Sequence, residues 1–264
     1  MRISQEYAKQ KAIVNAEKLE VLGVPVNILT RSQLTESLEH LILSDQRGWI
    51  SYVNVHAVNL AQEHPRFRSF LQTSLLNYCD GEGVRVGARL LGSLLPERIV
   101  MTEWVHDVFR LAQDQSYSIF LLGGTEEVLT KAVRAMTTRY PKVRIAGYHH
   151  GYLTPENSER IVGMINQSGT DILIVGMGMP LQEEWIVRHF DRLRIRLALN
   201  AGSCFDYLAG VKRRCPRWMG QNGFEWLFRL MQEPGRLWKR YLLGNPLFIL
   251  RVLRERVANR ARTQ

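Results

Sequence analysis

The sequence predicts an α/β fold: a doubly wound, mostly parallel sheet with a helical basic appendage at the C-terminus. Three observations carry this. Short apolar runs alternate with segments of helical periodicity of about ten to sixteen residues. Each run is short and mainly apolar, as expected of a strand covered on both faces. The charge is split along the chain. Residues 211–264 hold 13 Lys/Arg against 3 Asp/Glu, which is the whole net charge of +10, whereas residues 1–210 hold 22 of each.

The elements follow in order. "LEVLGVPVNIL" reads as a first strand and turn. Thr30 and Gln33 have the spacing of a capping box, for a helix to about Leu43. "GWISYVN" is a second strand, and the helical segment after it breaks near Pro65 and resumes to about Ser74. "LLNYC" is a third strand that delivers Asp80. In "TEWVHDVFRLAQ" the residues Trp104, Val105, Val108, Phe109 and Ala112 fall on one helical face. "YSIFLLGG" is a strand ending in two glycines, and Thr125 can cap a helix to about Tyr140. "KVRIAGY" is the next strand. "LTPENSERIVGMINQ" opens a helix with Thr154 as N-cap and Pro155 at the first helical position. "DILIVGMG" precedes a helix from about Pro180 to His189, and "RLALNAG" closes the series.

The domain expectation is a polar N-terminal extension over 1–18, a catalytic core over 19–210 and a basic, amphipathic, membrane-associating appendage over 211–264. The first eighteen residues contain no apolar signal core. "YLLGNPLFIL", Tyr241 to Leu250, is too short to span a bilayer. Cys79, Cys204 and Cys215 form no C-x-x-C pair, which points to a reducing compartment and to neither disulfides nor a zinc site. A cytoplasmic protein, peripheral on the inner face of the membrane, is expected. The tail mixes its arginines with Trp218, Trp226, Trp238 and Tyr241, a composition suited to an anionic membrane surface. No nucleic-acid module is recognisable, so nucleic acid is not an expected partner.

In an open α/β sheet, ligands sit beyond the carboxyl ends of the strands. Four strands end there in small residues: Asp80-Gly81, Gly123-Gly124-Thr125, Gly176-Met177-Gly178 and Asn200-Ala201-Gly202. Such turns let a phosphate approach the backbone, or simply turn the chain tightly; together they favour a phosphate-bearing ligand. "GMGMPL" fails as a dinucleotide fingerprint, because Leu181 fills the third glycine position and Asp191 comes too early. Asp80, at a strand end, reads equally as a general base or as a cap for the next helix. The Asp80/Glu82 pair offers too few oxygens to require a divalent cation, so no metal is assigned. Gln182 and Glu183 fall in a first helical turn at the ligand edge, and His56 lies close to Asn54 and Asn59.

An ordered set of segments, from about Leu19 to about Leu250, carries a resemblance: "VNVHAVNLAQEHP", "CDGEGVRVGARLLG", "LPERI", "FLLGG", "GYHHGYLTPE", "VGMGMPLQEEWI", "GSCFDYLAG" and "GFEWLFRLMQEPGRLWKRY". The chain resembles the WecG/TagA/CpsF glycosyltransferases of bacterial envelope polysaccharide synthesis. The resemblance implies a Rossmann-like enzyme with no cofactor and no obligatory metal. It would move a sugar, with inversion, from a UDP-sugar donor to a polyprenyl-pyrophosphate-linked saccharide acceptor. Asp80 matches the family's proposed base. Gly123, Gly124, Gly176, Gly178, Gln182, Glu183, Arg229, Arg236 and Arg240 would serve the donor, and Asn54, His56 and Arg98 the acceptor. The chain departs from the family pattern at Tyr52, Met101, Glu103, Leu181 and Arg214-Cys215-Pro216, which bears on the identity of sugar and acceptor. A homo-oligomer stays open. Two other classes also stay open: a basic nucleic-acid-binding α/β protein, and a nucleotide-sugar-binding regulator without turnover.

Overall fold

A computed structural model describes residues 17–263, so the N-terminal extension, apart from Glu17 and Lys18, lies outside the described residues. Six strands form one parallel sheet: β3 (Gly48–Val53), β4 (Leu76–Cys79), β5 (Ser118–Gly123), β6 (Arg144–His149), β7 (Ile172–Gly176) and β8 (Leu197–Asn200). Their spatial order is β4-β3-β8-β7-β5-β6, and every pairing is parallel. The sheet is thus Rossmann-like, as expected. Its two faces are buried in two apolar clusters, one around Val53, Phe120 and Val175 and the other around Ile50, Leu121 and Ile174. Alternate residues over 119–122 of β5 and 172–175 of β7 point to opposite clusters, which is why these stretches carry no polar positions.

The first expected strand is two strands. β1 (Lys18–Val21) and β2 (Val24–Asn27) form an antiparallel hairpin, and its turn residues Leu22 and Gly23 both have positive φ, 54° and 72°. The hairpin shields the sheet edge: Asn77 N donates to Asn27 Oδ1 at 2.8 Å, beside β4.

The helices keep the predicted caps. Thr30 Oγ1 accepts from Gln33 N at 3.3 Å and Gln33 Oε1 from Thr30 N at 2.8 Å, opening α1 (Arg31–Leu43). α2 (Val55–Glu63) and α3 (Pro65–Thr73) are separated at Pro65. α4 (Glu82–Leu90), which the sequence reading passed over, follows Asp80 directly. α5 (Met101–Gln115) buries Trp104, Val105, Val108, Phe109 and Ala112. Thr125 caps α6 (Glu126–Arg139), and Thr154 caps α7 (Pro155–Gln167). α8 (Leu181–His189) follows β7.

Beyond β8 the chain forms α9 (Cys204–Leu208), α10 (Arg217–Gln221), α11 (Glu225–Gln232), α12 (Pro234–Trp238), a π-helical turn (Lys239–Leu243) and α13 (Gly244–Thr263). α11 ends at Gln232, and Pro234 opens α12. Pro246 lies in the first turn of α13, directly after the π-helical turn. α13 docks on the core. Phe248 and Val252 are fully buried, and a Cβ on Gly87 of α4 would come within 2.6 Å of the Phe248 ring. Asn59 Nδ2 donates to Gly244 O, and Arg251 Nη1 to Asn59 Oδ1, each at 2.8 Å. Leu242, Leu243, Leu247, Leu250, Leu253 and Val257 remain exposed. Among the described residues, no helix is long and apolar enough to cross a membrane.

Candidate active site

A cleft of about 610 Å³ opens at the carboxyl ends of β3, β4, β7 and β8, where the appendage folds over the sheet. Parallel strands all deliver their C-termini to this one edge, so residues distant in sequence meet there. Asn54, His56, Asp80, Gly178, Arg229, Arg236 and Arg240 all line the cleft. A smaller cavity of about 340 Å³ adjoins it and shares Asn54, His56, Asp80, Arg229 and Arg240; Arg98 lines this second space.

Asp80 follows the last residue of β4, and its backbone N–H still bonds Val53 O at 2.9 Å. Gly81, not Asp80, occupies the N-cap of α4, and no side chain bonds the first turn of that helix. The capping role is therefore not taken up. The Asp80 carboxylate makes no hydrogen bond or ion pair among the described residues. Protein surrounds it even though it faces the cleft. Desolvation, reinforced by the Glu225 carboxylate, pushes its pKa up to about 7, against the pull of Arg229, Arg98 and Arg240. Such a group changes protonation near neutrality, as a general base must. Gly83 makes room for packing: a Cβ there would lie 2.4 Å from Val55 Cγ2, so its absence lets α4 close on α2.

Asn54 caps α2, its Oδ1 accepting from Ala57 N at 3.0 Å, which leaves its amide nitrogen for the cleft. Burial and the nearby Arg240 lower the pKa of His56 to about 4, so its imidazole is neutral at neutral pH. Arg229, Arg236 and Arg240 come from α11, α12 and the π-helical turn. Arg229 lies over the Tyr207 ring, 5.6 Å from its centroid, and donates from Nε to Tyr207 Oη at 3.1 Å and from Nη2 to Ser203 Oγ at 3.5 Å. Its guanidinium is positioned before any ligand arrives. Arg236 pairs with Glu233. Arg98 Nη1 donates to Glu225 Oε2 at 2.8 Å.

Gln182 and Glu183 are not on the cleft wall. Both are buried behind it, at 0% and 1% exposure. Gln182 Oε1 accepts from Gly178 N at 3.2 Å and from Gly202 N at 2.9 Å, and Nε2 donates to Tyr52 Oη at 3.2 Å. Two N–H groups that a phosphate could have used are thus taken by an amide. Glu183 Oε1 accepts from Gln182 Nε2 at 2.6 Å and from Asn200 Nδ2 at 2.7 Å, while Oε2 has no partner. Burial pushes the Glu183 pKa up to about 7.

Gly124, Gly176 and Gly178 line a neighbouring cavity of about 980 Å³ with Lys212, Arg213 and Arg236. Gly123 lines no cavity described here. Its φ is 143°, and a Cβ would stand 2.2 Å from Gly176 O, so this glycine joins β5 to β7 at their ends. Among the described residues, no three His, Cys, Asp or Glu side chains gather as metal ligands would. Glu82 is paired with Arg85 at 2.9 Å. Sequence reasoning missed Tyr207, Ser203 and Glu225 as neighbours of the site. Tyr207 lies within "GSCFDYLAG", but nothing in that string marks it as a guanidinium platform.

The sequence model of the family described as "Glycosyl transferase WecG/TagA/CpsF family" matches residues 19–262. The chain belongs to this family. It is a glycosyltransferase. Among curated proteins it is similar to an N-acetylglucosaminyldiphosphoundecaprenol N-acetyl-beta-D-mannosaminyltransferase of Staphylococcus aureus strain MW2. The two are 30% identical over 242 residues, covering 90% of this chain and 93% of the relative. The protein of the same description from strain NCTC 8325 / PS 47 matches with the same identity and coverage. In this WecG/TagA/CpsF-family transferase, the match runs through both the sheet and the appendage, so the cleft lies wholly within it.

Proposed function

We propose that the protein transfers a sugar from a UDP-sugar to a saccharide carried on a polyprenyl diphosphate, with inversion at the anomeric carbon, in envelope polysaccharide synthesis. N-acetylmannosamine is the favoured sugar, because the S. aureus relatives are named for it; its uronic acid and glucose are the alternatives. The single observation that carries the reading is Asp80: a carboxylate without a partner, raised to about 7, in a cleft shared with three arginines of the appendage.

The acceptor hydroxyl gives its proton to Asp80 while its oxygen attacks the anomeric carbon. The bond from that carbon to the UDP oxygen breaks, and UDP leaves with both electrons. Charge develops on the β-phosphate, where Arg229, Arg236 and Arg240 stabilise it, as planar guanidinium donors do. Gln182 and Glu183 position the turns at Gly178 and Gly202 rather than touching the donor. Tyr52, a departure from the family pattern, bonds Gln182 and lines the cleft, so it shapes the sugar pocket. The exposed leucines of α13 and the basic tail hold the enzyme on anionic lipid, at about 1 kcal/mol per basic residue near the surface.

The test is turnover on a short-chain lipid-diphosphate saccharide with a panel of UDP-sugars. Asp80→Asn should lower kcat by ~10²-fold or more and leave UDP affinity nearly unchanged. Excess chelator should leave the rate unchanged. An Asp80→Asn protein with full turnover would end the proposal.

A further inference from the structure

A third cavity, of about 880 Å³, lies beside the site and is walled by arginines. Its lining includes Arg31, Arg98, Arg110, Arg139, Arg214 and Arg229, drawn from α1, α5, α6, α11 and two loops. Four of these six are paired: Arg31 with Asp107 and Glu103, Arg98 and Arg229 with Glu225, and Arg110 with Asp107. Glu82, Glu103 and Glu225 also line the cavity. Arg139 and Arg214 have no carboxylate partner among the described residues. Arg139 lies 5.9 Å from the Tyr140 ring centroid, and Arg214 Nη2 donates to Thr102 O. His106 lines the same cavity, and its Nδ1 is 3.3 Å from Tyr140 Oη. Burial, then Arg139, Arg214 and Arg31, hold the His106 pKa down to about 4, so its ring is neutral. Unpaired guanidinium groups converging on a cavity make a site for a phosphate oxyanion.

The position of this cavity indicates which anion it takes. The cavity of the glycine turns and the arginine cavity share no lining residue. The Asp80 cleft joins them, sharing Gly178, Ser203 and Arg236 with the first and Thr102, Tyr207 and Arg229 with the second. A transfer between two diphosphate-bearing substrates needs two anion sites flanking one base. We propose that the arginine cavity around His106 holds the diphosphate of the lipid-linked acceptor, a subsite that shares only Arg229 with the donor's three arginines. This rests on the transferase reading above. The base would then sit between the donor's leaving group and the acceptor's own diphosphate.

The test uses the full chain and the double variant Arg139→Gln/Arg214→Gln. Both residues are exposed, so the fold should be kept. Calorimetric titration with pyrophosphate, in the presence of saturating UDP, reads the subsite directly. Kinetics with a short-chain lipid-diphosphate saccharide read its use. The expected result is a pyrophosphate Kd weakened ~10-fold or more and an acceptor KM raised in step. Donor KM, kcat and binding to phosphatidylglycerol vesicles should stay as in the parent. Arg139→Lys/Arg214→Lys should recover part of the loss. Unchanged pyrophosphate affinity and acceptor KM would remove the subsite and leave the transferase intact. Lost vesicle binding with an unchanged acceptor KM would overturn it in favour of a phospholipid headgroup. Pyrophosphate binding through the cluster in a protein that transfers no sugar would instead remove the transferase reading.

Discussion

Arg98 and Glu225, 127 residues apart, form an ion pair at 2.8 Å that ties the segment before α5 to the first long helix of the appendage. The pair stands beside Asp80. Glu225 raises the Asp80 pKa while Arg98 and Arg229 lower it, so the appendage tunes the base as well as covering it. Glu225→Gln removes a negative charge and frees two guanidinium groups. The Asp80 pKa should fall, and the acid limb of the pH profile of kcat/KM should move below about 7. A limb that stays put would show that Glu225 does not reach Asp80 electrostatically.

The raised carboxyls also set a pH dependence of stability. Asp80 and Glu183 both titrate near 7 in the folded chain, above the ordinary values of 3.8 and 4.5. Between those limits the folded state binds more protons than the unfolded state. Stability therefore falls as pH rises from about 4 to about 7, and the loss is complete above 7. Asp80→Asn should raise the Tm at pH 8 and change it little at pH 4. Thermal scans at the two pH values check the sign.

Gln182 holds two turns with one carbonyl. Gln182→Ala should leave the N–H groups of Gly178 and Gly202 without their acceptor, at a cost of about 1–3 kcal/mol each where water does not replace it. The urea midpoint should fall, and donor KM should rise as the turns loosen. An unchanged midpoint would mean that the amide is dispensable.

Gly123→Ala should be among the most damaging single changes. Its Cβ would meet a backbone carbonyl, which cannot swing aside, and φ at 143° is strained for any side chain. A loss above ~3 kcal/mol is expected, read as a large drop in Tm or in soluble yield. Gly163→Ala, on α7 with open space around it, is the matching control and should be close to neutral or stabilising.

Arg229 is already fixed by Tyr207 and Ser203. Arg229→Lys keeps the charge but loses the planar fork and the stack. A fall in kcat of about 10²-fold with a smaller change in UDP affinity is expected if the group acts on the developing phosphate charge. Equal changes in kcat and affinity would make it a ground-state contact.

Features set by local chemistry can be read from neighbouring residues alone. The capping box at Thr30, the N-cap at Thr154, the helical face of Trp104 to Ala112 and the mainly apolar strands were all legible, because each depends on neighbours within a few residues. The sequence also put Asp80 at a strand end. Its surroundings come from the folded chain. Gly81 takes the cap, Gly83 accommodates Val55, and Gln182 and Glu183 turn inward. Arg229, Arg236 and Arg240 share a cleft only because three separate elements fold back over the sheet. The reason is physical: a cap or an apolar face is fixed over a few residues of chain, whereas the titration of a carboxyl depends on the water excluded and the charges brought near by segments more than a hundred residues away.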